Sequence, residues 1–281
     1  MSLTLLATVA LGLLAQQSDT VVAVLPGTRL DVDVMRGNVV VRTWDRNEVR
    51  VVGQPSSDGR LEVRLTNGTL QVRSVPERGG LSQTDVQVTV PRAMNLGIQG
   101  TFLSVDVSGA RGEVTVETTH GNIQLVGGRG FVSAQSVQGT VTCRDAEGRL
   151  ELGSTNGHVE VSGVSGTLKV ESVNGGIELR DVRSGSVEAS TVNGGIAYGG
   201  TLERSGRYQL STHNGDVAVD VPAGTNATIA ASTFGGAFES DFPVVLREAG
   251  GGGRQITITL GDGGARLELS SFNGSIHLRR P

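Results

Sequence analysis

The stretch Val114–Val219 decides the fold. Set out in rows it reads VTVETTHGNIQL (114–125), VSAQSVQGTVTC (132–143), LELGSTNGHVEV (150–161), LKVESVNGGIEL (168–179), VEASTVNGGIAY (187–198) and YQLSTHNGDVAV (208–219). The glycines Gly121, Gly139, Gly157, Gly175, Gly194 and Gly215 recur at intervals of 18, 18, 18, 19 and 21 residues. A fixed period near twenty residues marks stacked repeats, each burying its apolar face only against its neighbours.

Within a row the side chains sort by parity. Counted from the glycine, position −7 holds Val114, Val132, Leu150, Leu168, Val187 and Tyr208, and position −5 holds Val116, Ala134, Leu152, Val170, Ala189 and Leu210. Position +2 holds Ile123, Val141, Val159, Ile177, Ile196 and Val217, and position +4 holds Leu125, Cys143, Val161, Leu179, Tyr198 and Val219. Alternation on both sides of a glycine predicts two short half-buried strands per coil, with these four columns sharing one interior. Position −3 is always a small hydroxyl (Thr118, Ser136, Ser154, Ser172, Thr191, Thr212) and by the same parity points inward. Such groups need partners, and a neighbouring coil's hydroxyl or a turn amide is the expected one. Position −1 is Asn156, Asn174, Asn193 and Asn214 in the later rows, preceded by His120 and Gln138. Asn-Gly tolerates positive φ and suits a tight bend, and stacked Asn side chains can bond along the axis. Consecutive rows repeat rather than mirror each other, so the bend leads into the next side of a coil, not into a hairpin.

The same register reaches both ends of the chain. Gly37 is flanked by Leu30, Val32, Val34, Val39 and Val41, and Gly68 by Leu61, Val63, Leu65, Leu70 and Val72. Leu103 replaces the glycine in a row that keeps Leu96, Ile98, Val105 and Val107. Gly236 and Gly274 mark two looser rows, the last expected to close the fold. Excursions at 42–60 and 73–95 carry strands at Val49–Val52 and Val86–Val90, and Ser240–Gly253 is expected to protrude as a loop. At one strand spacing per coil, about eleven coils make a rod on the order of 50 Å long.

Composition agrees with a thin, stacked interior. The 281 residues include 42 Gly and only 3% aromatic residues, too few bulky side chains for a thick globular core. A formal net charge of −4 offers no basic footprint for nucleic acid. Cys143 is the single cysteine and sits in an inward column, which favours core packing over reactivity. Residues 1–17 are apolar from Leu3 to Ala15 and then turn polar, which fits a secretory signal peptide cut near Ala15 or Gln17, or a retained anchor.

The segments VVVRTWDRNEVRV (Val39–Val51) and VQVTVP (Val86–Pro91), followed by S/T-x-N-G-x-I/V rows, resemble the bacterial putative-adhesin family of exported β-strand-repeat proteins, a domain of unknown function. The resemblance covers essentially all of the chain beyond residue 17. It implies a β-solenoid on or near the cell envelope and supplies no catalytic residues.

Chemistry-bearing residues do not converge. His120, His158, His213 and His277 fall in four different columns, whereas a metal needs ligands at close spacing. The outward −4 column (Glu117, Gln135, Gly153, Glu171, Ser190, Ser211) is mixed and unlike a catalytic carboxylate pair. Gly250–Gly253 lacks the Lys-Ser/Thr of a phosphate loop, and Gly261–Gly264 misses the calcium-binding nonapeptide pattern. Trp44, between Arg42 and Arg46, is expected to pack the cap instead of stacking on a ligand.

The sequence therefore predicts an all-β, single-stranded β-helix-like solenoid with 18–21 residues per coil. Residues 18–281 form one domain: irregular cap coils at 20–100, regular coils at 101–220 and looser coils at 221–281. The expected function is a non-catalytic, exported binding or structural module in the periplasm or on the cell surface. Its partner would be a surface glycan or an envelope protein, without nucleic acid, cofactor or metal, and it would not be an integral membrane protein once the signal is removed. The competing expectation is a polysaccharide lyase or hydrolase on a β-helix, with a cleft of acids near Ser240–Gly253.

Overall fold

A computed structural model describes residues 18–281 apart from 57–58, 77–81, 244–245 and 249–253. The apolar segment 1–17 lies outside the described residues. Every regular element described is a β-strand, and all belong to one hydrogen-bonded network of 25 strands.

The rows stack in parallel, column on column. Ile123, Val141, Val159, Ile177, Ile196 and Val217 are successive cross-strand partners, and so are Val114, Val132, Leu150, Leu168, Val187 and Tyr208. All four apolar columns are buried to 2% exposure or less, so the parity reading places each inward residue correctly.

A fifth inward column escapes that reading. Ala110, Ala146, Val164 and Val182 are buried at position +7, which simple alternation assigns to the outside. The residue before each is left-handed: Gly109 (φ 82°), Asp145 (φ 54°), Gly163 (φ 67°) and Asp181 (φ 51°). A left-handed residue turns the chain and resets the alternation, so in these four rows the chain turns onto a third inward-facing segment.

Among the described residues the buried hydroxyls at −3 do not bond one another, and the expected turn amide is found at Thr233, whose Oγ1 accepts the Gly236 N–H at 3.1 Å. Each donates to the carbonyl at the turn of the coil beneath. Thr118, Ser136, Ser154 and Ser172 reach Leu103, Gly121, Gly139 and Gly157 at 3.0, 3.0, 2.8 and 3.3 Å. Thr191, Thr212, Ser271 and Thr233 reach Gly175, Gly194, Gly215 and Gly274, each at 2.8 Å. The same carbonyls explain the glycines. At Gly157, which is not among the positive-φ residues, a Cβ would stand 2.1 Å from the Gly139 oxygen. Close approach between coils, not left-handed backbone, is what requires glycine there.

The asparagines bond along the axis as expected. Asn174 donates to Asn156, Asn193 to Asn174 and Asn214 to Asn193, each at 2.8 Å, and Asn273 donates to Asn214 at 2.9 Å.

Three expectations about the ends need correction. The Gly68 row is no coil. Gly59–Thr66 and Thr69–Pro76 are antiparallel around Asn67 (φ 50°) and Gly68 (φ 76°), which is a type I′ hairpin, and Leu65 is exposed. The layer above the Gly37 row is instead assembled from two segments: Leu70 and Val72 pair with Leu30 and Val32, while Val86 and Val88 pair with Val39 and Val41. Beyond it, Glu48–Pro55 and then Ser18–Ala23 add antiparallel strands, and Arg50 clamps Asp19 on the outermost one at 2.9 and 2.6 Å. That bond holds the Asp19 carboxyl below its ordinary range.

At the opposite end, the Gly274 row is not the last layer. Leu267 pairs with Tyr208 on one side and with Ile229 on the other, so Ala265–Ser271 and Ile276–Arg279 slide between the Gly215 row and the Gly236 row. Arg254–Leu260 then runs antiparallel along Ala227–Thr233. The Ser240–Gly253 stretch is also more than a loop, since Leu246–Glu248 is a strand paired with Arg254–Leu260.

Candidate functional site

Position −3 points inward between the outward positions −4 and −2, and from the Gly37 layer to the Gly157 layer these three columns line an open crease. Because the rows stack in register, the crease forms a trough parallel to the stack. Its clearest part is a cavity of about 480 Å³. One wall is Asp33, Gln99, Glu117 and Gln135 from the −4 column, and the other is Met35, Thr101, Thr119, Val137 and Thr155 from the −2 column. The floor is Gly100, Thr118 and Ser136. Five layers contribute, so the trough is about 19 Å long at one strand spacing per layer.

Small residues make this part of the crease deep. Gly100 replaces the inward hydroxyl of its row, and Gly97 three residues earlier leaves room that the Arg29–Asp31 ion pair occupies from the next layer. A second concavity of about 280 Å³ adjoins it and shares Asp33, Gln99 and Glu117. Asp33 and Glu117 have no ion-pair partner within 4.0 Å among the described residues.

Beside the trough the −2 column continues as an apolar ridge. Met35, Val137, Val173, Val192, Phe272 and Phe234 are each 40–53% exposed, and between them are most of the large exposed hydrophobics. Toward the Gly236 layer the ridge turns aromatic: the rings of His213 and Phe272 stack at 4.8 Å and those of Phe272 and Phe234 at 5.1 Å, both within 4° of parallel. In the −1 column, Arg36 lies 5.3 Å over Phe102, and Phe102 stacks on His120 at 4.7 Å.

The four histidines stay apart. His120 and His213 stand in the ring stacks, His158 Nδ1 accepts the Gly176 N–H at 3.2 Å, and His277 Nδ1 lies 3.0 Å from Glu239 Oε2. Among the described residues no group of three or more His, Cys, Asp or Glu side chains is placed to hold a metal. Trp44 donates to the Glu48 carbonyl at 2.7 Å with Arg46 5.1 Å over its ring, while Arg42 makes two bonds to Asp106. Near Ser240–Gly253 two acids are engaged: Glu239 with His277, and Asp241 with the Arg280 N–H at 2.9 Å. Gly250–Gly253 lies outside the described residues, and Gly261 and Gly263, with φ of 58° and 74°, belong to the turn before Ala265–Ser271. Cys143 is fully buried, and burial with Asp145 nearby pushes its thiol up to about 12.

Sequence reasoning named the outward −4 column but rejected it for catalysis, and did not single out −2. The signal was present: apolar residues recur at an outward position beside an inward hydroxyl.

The family model described as Toastrack DUF4097 matches residues 27–279. The chain belongs to the Toastrack DUF4097 family. This bears out the resemblance carried by Val39–Val51, Val86–Pro91 and the Asn-Gly rows. Two solved structures are similar. One is a putative cell adhesion protein from Clostridium sporogenes, 8% identical, with a TM-score of 0.24 over 95% of this chain and 100% of that one. The other is a putative adhesin from Parabacteroides distasonis, 10% identical, with a TM-score of 0.26 over 94% of this chain and 98% of that one. No curated protein matches this Toastrack DUF4097 chain. Among its described residues no helix is long and apolar enough to cross a membrane.

Proposed function

We propose that this protein is an exported, non-catalytic β-solenoid of the bacterial cell envelope that binds an envelope component along its lateral face. The observation that carries the reading is the trough between the −4 and −2 columns, an extended concave surface that repeats coil by coil. In-register parallel stacking with 18–21 residues between turn glycines supports the solenoid. The apolar run at 3–15 supports export. Residues 20–100 serve as the cap of one domain, since strand edges at a stack end otherwise invite pairing with other chains. The coils at 101–220 continue the repeated face that begins in the cap at Asp33 and Gln99, and 221–281 closes the other end.

Protease shaving of intact cells tests the location. Cleavage on intact cells places the protein outside and makes surface ligands the question to pursue. Cleavage only after the envelope is opened moves it to the periplasm, and recovery from the cytoplasm alone defeats the proposal. Retention of purified protein on isolated envelope fractions tests binding; no retention on any fraction defeats the lateral-face reading.

A further inference from the structure

Resting on the lateral-face reading, we infer that the trough holds a linear, non-anionic polysaccharide lying parallel to the stack. Four features of the trough point to this class. The first is its shape. Its two walls are two residues apart along the strand, about 7 Å, and it runs about 19 Å. That footprint is far below the roughly 800 Å² per partner of a stable protein interface. It suits a single polymer chain and excludes a second copy of this chain as the occupant.

The second feature is that the strands lining it are interior members of parallel ladders. Asp33 pairs with Gln99, Gln99 with Glu117, and Glu117 with Gln135. Their backbone groups are already bonded to the layers on either side. An extended peptide gains its affinity by pairing with a free sheet edge, and this face has none to offer.

The third feature is the chemistry of the walls. One side presents carboxylates and amides, the hydrogen-bonding groups suited to sugar hydroxyls. The other presents Met35, Val137 and the methyls of Thr101, Thr119 and Thr155, a surface for the C–H face of a pyranose ring. These groups recur at one strand spacing, about 4.8 Å, so the surface repeats along the direction in which a polymer would lie.

The fourth feature is charge. Asp33 and Glu117 carry carboxylates with no ion-pair partner in a crease whose lining contains no Lys or Arg. Polyuronates and sulfated chains are repelled, whereas neutral or amine-bearing chains are accepted. Arg73 and the Arg29–Asp31 pair line only the adjoining concavity.

The test uses the purified full-length chain in pull-downs on microcrystalline cellulose and chitin, with polygalacturonate and heparin as anionic probes. Retention is expected on at least one neutral probe and on neither anionic one. The double substitution Gln99→Ala with Gln135→Ala should weaken retention about tenfold, as expected for two lost hydrogen bonds. All trough positions used are partly or fully exposed, so the fold should survive; unchanged thermal denaturation checks this. Asp33→Asn with Glu117→Gln, which removes the two unpaired carboxylates from the wall, should permit binding to polygalacturonate; continued exclusion of polygalacturonate overturns the charge argument. Glu160→Gln, on another side of the coil, should change nothing.

Failure to retain either neutral probe overturns the inference, as does retention indifferent to the trough substitutions. A dimer in sedimentation that the trough substitutions dissociate overturns it in favour of self-association. Binding of an envelope protein or an anionic glycan overturns the inference but leaves the lateral-face function standing. Failure to bind any envelope fraction removes both.

Discussion

Replacing Gly157 by alanine isolates the contact that sets the distance between coils. The new Cβ would stand 2.1 Å from the Gly139 oxygen, 2.6 Å from its carbon and 2.9 Å from the Ser154 Oγ. The two closest atoms are backbone, and an ordinary van der Waals contact needs more than 1 Å of further separation. Because Gly157 is absent from the positive-φ residues, its own backbone conformation adds no penalty. Overpacking of this kind costs about 1–3 kcal/mol. Pushing the coils apart also strains the Ser154 hydrogen bond to Gly139, now 2.8 Å, worth about 1 kcal/mol. The sum, about 3 kcal/mol, corresponds to a fall of about 5 °C in Tm for a chain of this size. Gly68→Ala is the control: no atom lies within 4 Å of its Cβ, but φ is +76°, so strain alone costs about 1 kcal/mol. Urea denaturation of both variants decides the matter. If Gly157→Ala costs no more than Gly68→Ala, the glycines are there for conformation and the close-approach account is wrong.

Three further outcomes follow. Ile177→Asp puts an unpaired charge where exposure is 2% and should cost at least 3 kcal/mol, whereas Glu178→Ala, one residue on and ion-paired with Arg180 at the surface, should cost under 1; equal denaturation midpoints would refute the register. Cys143 should resist thiol reagents until the protein unfolds; its folded pKa is raised above the unfolded one, so its contribution to stability is complete below pH 9 and is lost as pH rises toward 12, a slope that Cys143→Ala should remove from the alkaline denaturation curve. Among the Asn-Gly pairs, Asn67 should deamidate fastest, because it is exposed at a hairpin tip while Asn174, Asn193 and Asn214 have their amides tied into the axial ladder; peptide mapping after incubation at mildly alkaline pH would contradict this if Asn174 reacted as quickly.

The composition of each coil was legible in the sequence because burial, period and strand alternation all act within a row. The order in which rows stack was not. Leu30 and Val32 fit equally well on Leu96 and Ile98 or on Leu70 and Val72, and the structure uses both sides. Apolar columns of Leu, Val and Ile are interchangeable, so they specify that rows stack but not which is next. Gly68 satisfied the parity pattern and still misled. Its row has Leu65 where every regular coil of the 114–219 stretch has a hydroxyl, and that missing Ser or Thr was the available sign of a hairpin. The fifth inward column was hidden by Gly109, Asp145, Gly163 and Asp181, whose left-handed backbone breaks period two at residues that in a single row read as ordinary turn formers. The trough was invisible for a different reason. It is a property of neighbouring rows held in register, and its floor includes Gly100, which in a single row looks like ordinary punctuation.

The placement of Ala265–Arg279 beneath Ala227–Ser240 makes folding order differ from chain order. Residues 227–240 precede 265–279 in sequence, yet Ile229 rests on Leu267 and Phe238 on Ile276. The earlier segment has no seat until the later one has arrived. The opposite end behaves alike, since the 29–41 layer is held between 95–107 and the pair 69–73 and 86–90. A ribosome or translocon delivering this chain from its N-terminus therefore cannot finish either end layer by layer. Each end stays open until a distant segment closes it like a drawn bolt, and a chain interrupted before residue 265 would leave a strand edge exposed to proteases. The stack thus distinguishes finished chains from unfinished ones by the edge that an unfinished chain leaves open.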